Sequence, residues 1–424
     1  MGDLYVVAGW ADITPDTPCR LFCSGDLSGP YRRVETPIEA TALVFGRPSR
    51  RLVFVALDLL YVGAAITERI TRFLADRHGI PGTDVLLAAS HTHFAPGTDA
   101  AKPLFGPVDQ GYIAMVCDRL EALLSRLLSD GMPPAELRYG SAAANHSVNR
   151  RRYWPLPRVA RSGLHPPAVV MAPNRSGPRD ETVRCLPFLD RGSGQPIAVI
   201  WQYTCHPTGF PDKRALCAEY PGVVRSRIRH RYGKDLPVLF FQGFTGDIRP
   251  DIPDRGLHAL ALTTLRGPRF GRFDLAGWRG WADGIADAAL AALVDARPIP
   301  VHGEAIRTTG TTVPLTDLFD GGPGAGRSAA FQRISLGGLV EIVGIGAEPV
   351  QDWARHLIGI GRSDAIRIPV GYCGDVFGYL PTGEQVRAGG YEADGHLPAF
   401  ELPGRFSPRI DAVVTGALAR LADA

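Results

Sequence analysis

Asp84-Val-Leu-Leu-Ala-Ala-Ser-His-Thr-His-Phe-Ala-Pro-Gly97 is an apolar run that leads directly into a His-x-His pair and stops at Pro-Gly. Side chains alternate along a strand with a period of two, so a strand carried through this segment puts His91 and His93 on one face. Convergent imidazoles followed by a Gly/Pro loop suit a metal or acid-base site at the carboxyl edge of a sheet. There, rigid backbone fixes the geometry and the loop admits substrate.

Further apolar, β-branched runs occur at Thr41–Phe45, Leu52–Leu60, Ile197–Tyr203, Val238–Gln242, Leu339–Ile345 and Ile366–Val370, each closed by a turn former or polar residue. Between them, Leu, Ile and Ala recur at helical spacing over Ala64–His78, Tyr112–Ser129, Tyr220–Tyr232, Trp278–Val294, Val350–Ile358 and Pro408–Ala422. Strand and helix alternate, which predicts an α/β class. Residues 150–176 and 313–327 are rich in Pro, Arg or Gly and read as long loops inserted in a single domain spanning 1–424.

The 424 residues are 45% hydrophobic and 21% charged, enough for a sizeable core. A net charge of +3 gives no strong global field, so neither nucleic acid nor a membrane surface is implied, and a small molecule is the expected partner. No run approaches about 20 apolar residues and no signal peptide opens the chain, so stable membrane insertion is not expected and the location reads as cytoplasmic. The seven scattered cysteines fit a reducing compartment. Cys19 and Cys23 resemble half a metal site with no second half and are read as ordinary thiols, and the oligomeric state is left open.

Three other strand-to-loop junctions repeat the pattern of the first. Ala198–Tyr203 leads to His206-Pro, Val238–Gln242 leads to Asp247-Ile-Arg249-Pro, and Val343-Gly-Ile-Gly-Ala leads to Glu348-Pro. Two neutral histidines and a carboxylate are a donor set that suits Zn2+, whose bound water ionises near neutral pH and can attack a carbonyl. Any one of these histidines alone reads as structural; the pair together with the other junctions favours a site. Cys205 adjoins His206, but neighbouring strand residues face opposite ways, so Cys205 is expected in packing and not in a Cys-His pair. His230 and His356 fall on helical segments and read as solvated or structural.

Gly9-Trp-Ala-Asp-Ile-Thr-Pro15, Ser90-His-Thr-His-Phe-Ala-Pro-Gly97, Val148-Asn-Arg150, His206-Pro-Thr, Gly246-Asp-Ile-Arg-Pro250, Gly378-Tyr-Leu-Pro-Thr and Gly390-Tyr-Glu occur in that order along nearly the whole chain. Together they resemble the catalytic domain of the neutral/alkaline non-lysosomal ceramidases. The resemblance implies mixed β-sheets flanked by helices in an αββα layering, and a zinc amidohydrolase. By the same resemblance, His91, His206, Glu348 and Tyr379 are the metal ligands, with Glu341 and Glu384 as competitors of Glu348. His93, Arg150 and Tyr391 fall where the family holds and polarises the reacting carbonyl, and the twelve-residue separation of Tyr379 and Tyr391 matches its two functional tyrosines.

Arg249 is a departure from that pattern, because the resembled family has serine there. A guanidinium stays protonated and cannot attack a carbonyl, so direct attack by metal-activated water is favoured. The sequence reads as being without the family's C-terminal β-domain and secretion signal, so a long-chain ceramide is not the expected substrate. Two roles for Arg249 are open: with Arg150 it clamps a small anionic substrate, or it pairs with Asp247 and supports the loop. Four kinds of function follow: amide hydrolysis of a small, anionic substrate; lyase, isomerase, ester or lactone chemistry at the same zinc site; a true ceramidase; or ligand binding by an inactive relative.

Overall fold

Glu39–Arg47 is buried along nearly its whole length and sends Ala42 and Val44 to one side and Leu43 and Phe45 to the other. A strand that is apolar on both faces needs a layer on each. The computed structural model describes residues 3–22, 29–160, 163–252, 254, 263, 265–320, 326–360, 362–402 and 404–422, and it supplies both layers. On one side, Val44, Val53 and Val55 meet Ile66 and Ile70 of the helix Ala64–His78 and Leu120 and Leu124 of the helix Gln110–Ser129. On the other, Leu43, Phe45 and Phe54 meet Ile334, Ile342 and Ile368 of a second sheet. That sheet orders Ile306–Pro314, Ser328–Leu336, Val340–Ile345 and Ile366–Val370, and its outer residues Phe331 and Val343 share a core with Val414 and Leu418 of the helix Ile410–Ala422. The layering is αββα, as expected.

The large sheet runs Val238–Gln242, Pro196–Tyr203, Thr182–Asp190, Pro134–Ala143, Leu4–Asp12, Glu39–Arg47, Arg50–Leu57, Val85–Ala89, with Arg297–Ile299 also paired to Pro134–Ala143. Its two terminal pairs are parallel and its interior is antiparallel. Helices Glu219–Tyr232 and Leu275–Val294 cover the end that carries Trp201 and Phe240. Twist curls this sheet until its edges meet. Phe54 and Phe241 lie 5.8 Å apart, and Gln242 Nε2 donates to Ser90 O at 3.5 Å and Cys205 O at 2.8 Å. Gly371 N, just past the second sheet's last strand, donates to Gln242 O at 2.9 Å, and Ala89 N donates to Tyr372 O at 3.1 Å. The carboxyl ends of strands from both edges and from the second sheet therefore converge.

All seven predicted apolar strands and six helical segments form, with Ala64–His78 matching its expected bounds. Residues 150–176, expected as a loop, are instead mostly strand: Ser147–Trp154 pairs antiparallel with Ala168–Asn174 and with Ile248–Pro250, and Arg158–Ala160 pairs with Gly163–His165. Pro155, Pro157, Pro166 and Pro167 sit between these short strands, where no ladder hydrogen bond is needed, and Pro173 falls where the register of Ala168–Asn174 shifts. Within 313–327, the strand Ile306–Pro314 is followed by a helical turn, Leu315–Leu318, and by Phe319–Asp320 paired to Arg405–Phe406; residues 321–325 lie outside the described residues. Cys23 also lies outside them, and the other six cysteines are free thiols. Among the described residues, no helix is long and apolar enough to cross a membrane.

Candidate metal centre

Val85–Ala89 ends before the histidine pair, and His91 sits at φ +66°, so strand alternation is not what aims the two rings. A left-handed residue, and not the alternation expected of a strand, turns the chain, and His91 and His93 meet with ring centroids 5.0 Å apart. The third ring follows Pro196–Tyr203, next to the opposite edge strand of the sheet, with His206 4.8 Å from His91 and 5.9 Å from His93. Hydrogen bonds to backbone carbonyls fix two of the rings: His91 Nδ1 to Leu60 O and His206 Nδ1 to Ile248 O, each 2.9 Å. Nδ1 is thereby the protonated nitrogen, and each Nε2 keeps its lone pair.

Those lone pairs have no protein donor. The Nε2 atoms of His91, His93 and His206 are buried without a hydrogen-bond partner, and these three residues' ligand atoms lie within 4.8 Å of one another. Glu348 faces them, its Oε2 lying 3.4 Å from His91 Nε2 and 3.5 Å from His206 Nε2. Burial pushes His206 down to about 3 and His93 well below its ordinary value, so both rings are neutral at pH 7. Burial opposes the charge of Glu348, and its carboxyl is held well below the usual range only to the extent that the facing His91 and His206, or a cation between them, supply positive charge. Two or three neutral imidazole nitrogens around an ionised carboxylate fit a divalent cation.

The carboxylate is itself positioned. Tyr61 Oη donates to Glu348 Oε1 at 2.5 Å, and Tyr372 Oη lies 3.4 Å from Oε2 and 2.6 Å from Thr245 Oγ1. Gly246 lets the strands close up: a Cβ there would lie 2.7 Å from Glu348 O. Lys102 is fully buried, pairs with Asp99, donates to Val376 O at 2.7 Å and holds its ammonium 4.6 Å from the Tyr61 ring centre. Sequence reading missed Tyr61, Lys102 and Tyr372; Tyr61, four residues past the strand Arg50–Leu57, repeats the junction pattern that marked the histidines.

Tyr379 pairs in parallel register with Glu348, which brings it beside the cluster. Burial and then the Glu348 charge push its phenol well above the ordinary value, so a phenolate there needs a cation. Arg150 stands over the Tyr379 and Tyr391 rings at 5.4 and 5.5 Å, its Nε donating to Glu392 Oε1 at 2.6 Å and its buried Nη2 without a partner. Glu392, which the sequence offers only as the end of the Gly390-Tyr-Glu motif with no role assigned, also binds Arg151 at 2.6 Å. Of the competitors of Glu348, Glu341 is bound by Arg333 and Ser335, and Glu384 is exposed. Cys205 is buried in packing, and His230 and His356 are exposed, as expected.

Arg249 does not pair with Asp247. Asp247 instead accepts from Asn149 Nδ2 at 2.9 Å and Gln351 N at 2.8 Å, while Arg249 lies 4.9 Å from the Phe270 ring centre and its Nη1 is 3.5 Å from Met171 Sδ.

No family profile and no curated protein sequence matches the chain. Solved structures do, among them two ceramidases. Neutral ceramidase from Pseudomonas aeruginosa superposes with a TM-score of 0.74 at 17% identity, covering 100% of this chain and 74% of that one. A ceramidase complexed with C2 gives 0.75 at 17% identity, covering 100% and 75%. The chain has the neutral ceramidase fold. The likeness is one of fold; the possible metal site rests on the His91, His93 and His206 cluster itself.

Proposed function

We infer that the protein is a zinc-dependent amidohydrolase that cleaves the carbon-nitrogen bond of a small, anionic substrate. The observation that carries this reading is the meeting of three buried, partnerless Nε2 atoms, two of them 3.4 and 3.5 Å from Glu348 Oε2, on a ceramidase fold. His91, His206, Glu348 and Tyr379 would hold the ion, a mixed nitrogen and oxygen set that suits Zn2+. When bound, zinc supplies a Lewis acid and lowers the pKa of water towards neutrality.

The chain's own groups divide the remaining work. His93 is neutral and stands at the cluster's open side, only partly buried, where it can carry a proton to the leaving amine. Arg150, immobilised by Glu392, offers its free Nη2 to the reacting carbonyl oxygen, with the Tyr391 hydroxyl as second donor. Arg249 cannot be a nucleophile, so water attacks directly and no acyl-enzyme forms. The free, mostly buried thiols accord with a cytoplasmic location.

Arg249 also favours a second reading, in which the same centre serves lyase, isomerase or lactone chemistry. Metal analysis of the purified protein, followed by turnover of N-acyl compounds in heavy-oxygen water, separates these. One zinc per chain and one label per carboxylate product is the expected result. Product without label sinks hydrolysis; absence of stoichiometric zinc, or full activity of His91→Ala, sinks the metal centre.

A further inference from the structure

Beside the imidazole cluster lies a cavity of about 460 Å3 whose wall includes Thr208, Arg249, Met171 and Phe270, with Lys213 and Arg272 at its exposed rim. Three cations and no carboxylate line it among the described residues. Arg249 forms no ion pair among the described residues; its guanidinium meets a thioether and an aromatic face instead. Burial and then the nearby Arg150 lower it to about 10, which still leaves a cation at neutral pH. Arg249 is half-buried, and a partly desolvated cation without a counter-ion favours an anion that enters beside it. Thr208 Oγ1, on the same wall, is buried without a hydrogen-bond partner. The cavity adjoins the reacting centre: Thr208 lies two residues past His206, and Arg249 follows Ile248, whose carbonyl fixes His206 Nδ1.

We propose that this cavity is the subsite for a carboxylate borne on a short apolar or aromatic arm of the substrate, with Arg249 as its bidentate partner. Thr208 Oγ1 donates a further hydrogen bond, Met171 and Phe270 enclose the arm, and Lys213 and Arg272 attract the anion at the rim. The proposal deepens the amidohydrolase reading by naming the substrate as an N-acyl compound with a free carboxylate. It sets the site apart from one built for two long alkyl chains.

The test is calorimetric titration of the full chain after chelation, so that no metal can bind the anion, with 3-phenylpropionate, its neutral amide and phenylphosphonate. The acid is expected to bind at least about tenfold more tightly than the amide, Arg249→Met to erase that preference, and Arg249→Lys to recover part of it. Thr208→Val, a smaller change, is expected to weaken the acid alone. Equal binding of acid and amide, or an unchanged preference in Arg249→Met or, should that variant not fold, in Thr208→Val, overturns the subsite. Tighter, Arg249-dependent binding of the phosphonate overturns the carboxylate assignment. Zinc content measured on the same unchelated preparation separates the two readings: acid selectivity without zinc sinks only the hydrolase, and zinc without acid selectivity sinks only the subsite.

Discussion

His91 and Tyr372 stack with ring centroids 4.1 Å apart and planes 28° apart, and both residues occupy positive φ, 66° and 61°. Bulky residues rarely adopt that region, at a cost of roughly 1–3 kcal/mol each, and such residues concentrate at functional sites. Here the two turns bend chain ends from separate sheets towards one carboxylate, so the backbone strain serves the meeting of His91, His206 and Glu348.

Removing the hydroxyls that hold Glu348 is therefore expected to loosen the centre without dismantling it. Tyr61→Phe and Tyr372→Phe keep their rings and each loses a bond to the carboxylate. A loss of about 1–3 kcal/mol in stability and about tenfold in zinc affinity is expected, read by urea melts and competitive metal titration. Unchanged affinity in both variants would remove these tyrosines from the site.

Zinc content divides the three histidines by role. His91→Ala and His206→Ala are expected to drop stoichiometry from one to near zero, whereas His93→Ala keeps the ion and loses about 100-fold or more in kcat. Should His93→Ala lose zinc equally, His93 is a ligand and the proton carrier lies elsewhere.

Lys102 tests the layer behind the site. Lys102→Met strands the buried Asp99 charge and withdraws the cation from the Tyr61 ring, so a loss of about 3–5 kcal/mol is expected. The double variant with Asp99→Asn, which leaves no buried charge there, is expected to recover part of it in thermal melts. A loss that is additive in the two variants would contradict the pairing.

Glu219 gives the fold a pH signature away from the imidazoles. It is fully buried, and burial raises it to about 7 from an ordinary 4.5, even though Phe210 N and Trp278 Nε1 donate to it at 2.7 and 3.0 Å. A carboxyl raised on folding contributes its full stability below about 4.5 and loses it as pH rises to about 7. The stability of the wild type relative to Glu219→Gln is thus expected to fall by on the order of 3 kcal/mol between pH 4.5 and 8. Parallel urea melts at several pH values check this; a constant gap would show that Glu219 stays ionised throughout.

The sequence made the strand-end chemistry legible because each ligand candidate directly follows an uninterrupted apolar run, as with Ala198–Tyr203 before His206. Half-exposed strands were harder to see. Leu4–Asp12 and Pro134–Ala143 carry charge on their wetter faces and a glycine each among their buried residues, which dilutes the period-two signal, yet they form the middle of the large sheet. Arg150–Ser176 misled for a related reason, since prolines between very short strands look like prolines in a loop. The supporting residues Lys102 and Glu392 act through contacts 274 and 242 positions away, which no local pattern encodes.

The closing of one curled sheet on itself has a thermodynamic corollary. Its rims carry His91 and His206, so a cation bound between them acts as a clasp, and part of its affinity is spent holding the seam shut. Stripping the ion should then be felt first in Gln242 and Gly371, whose amide protons would exchange faster along that seam while the helix Gln110–Ser129 stays protected.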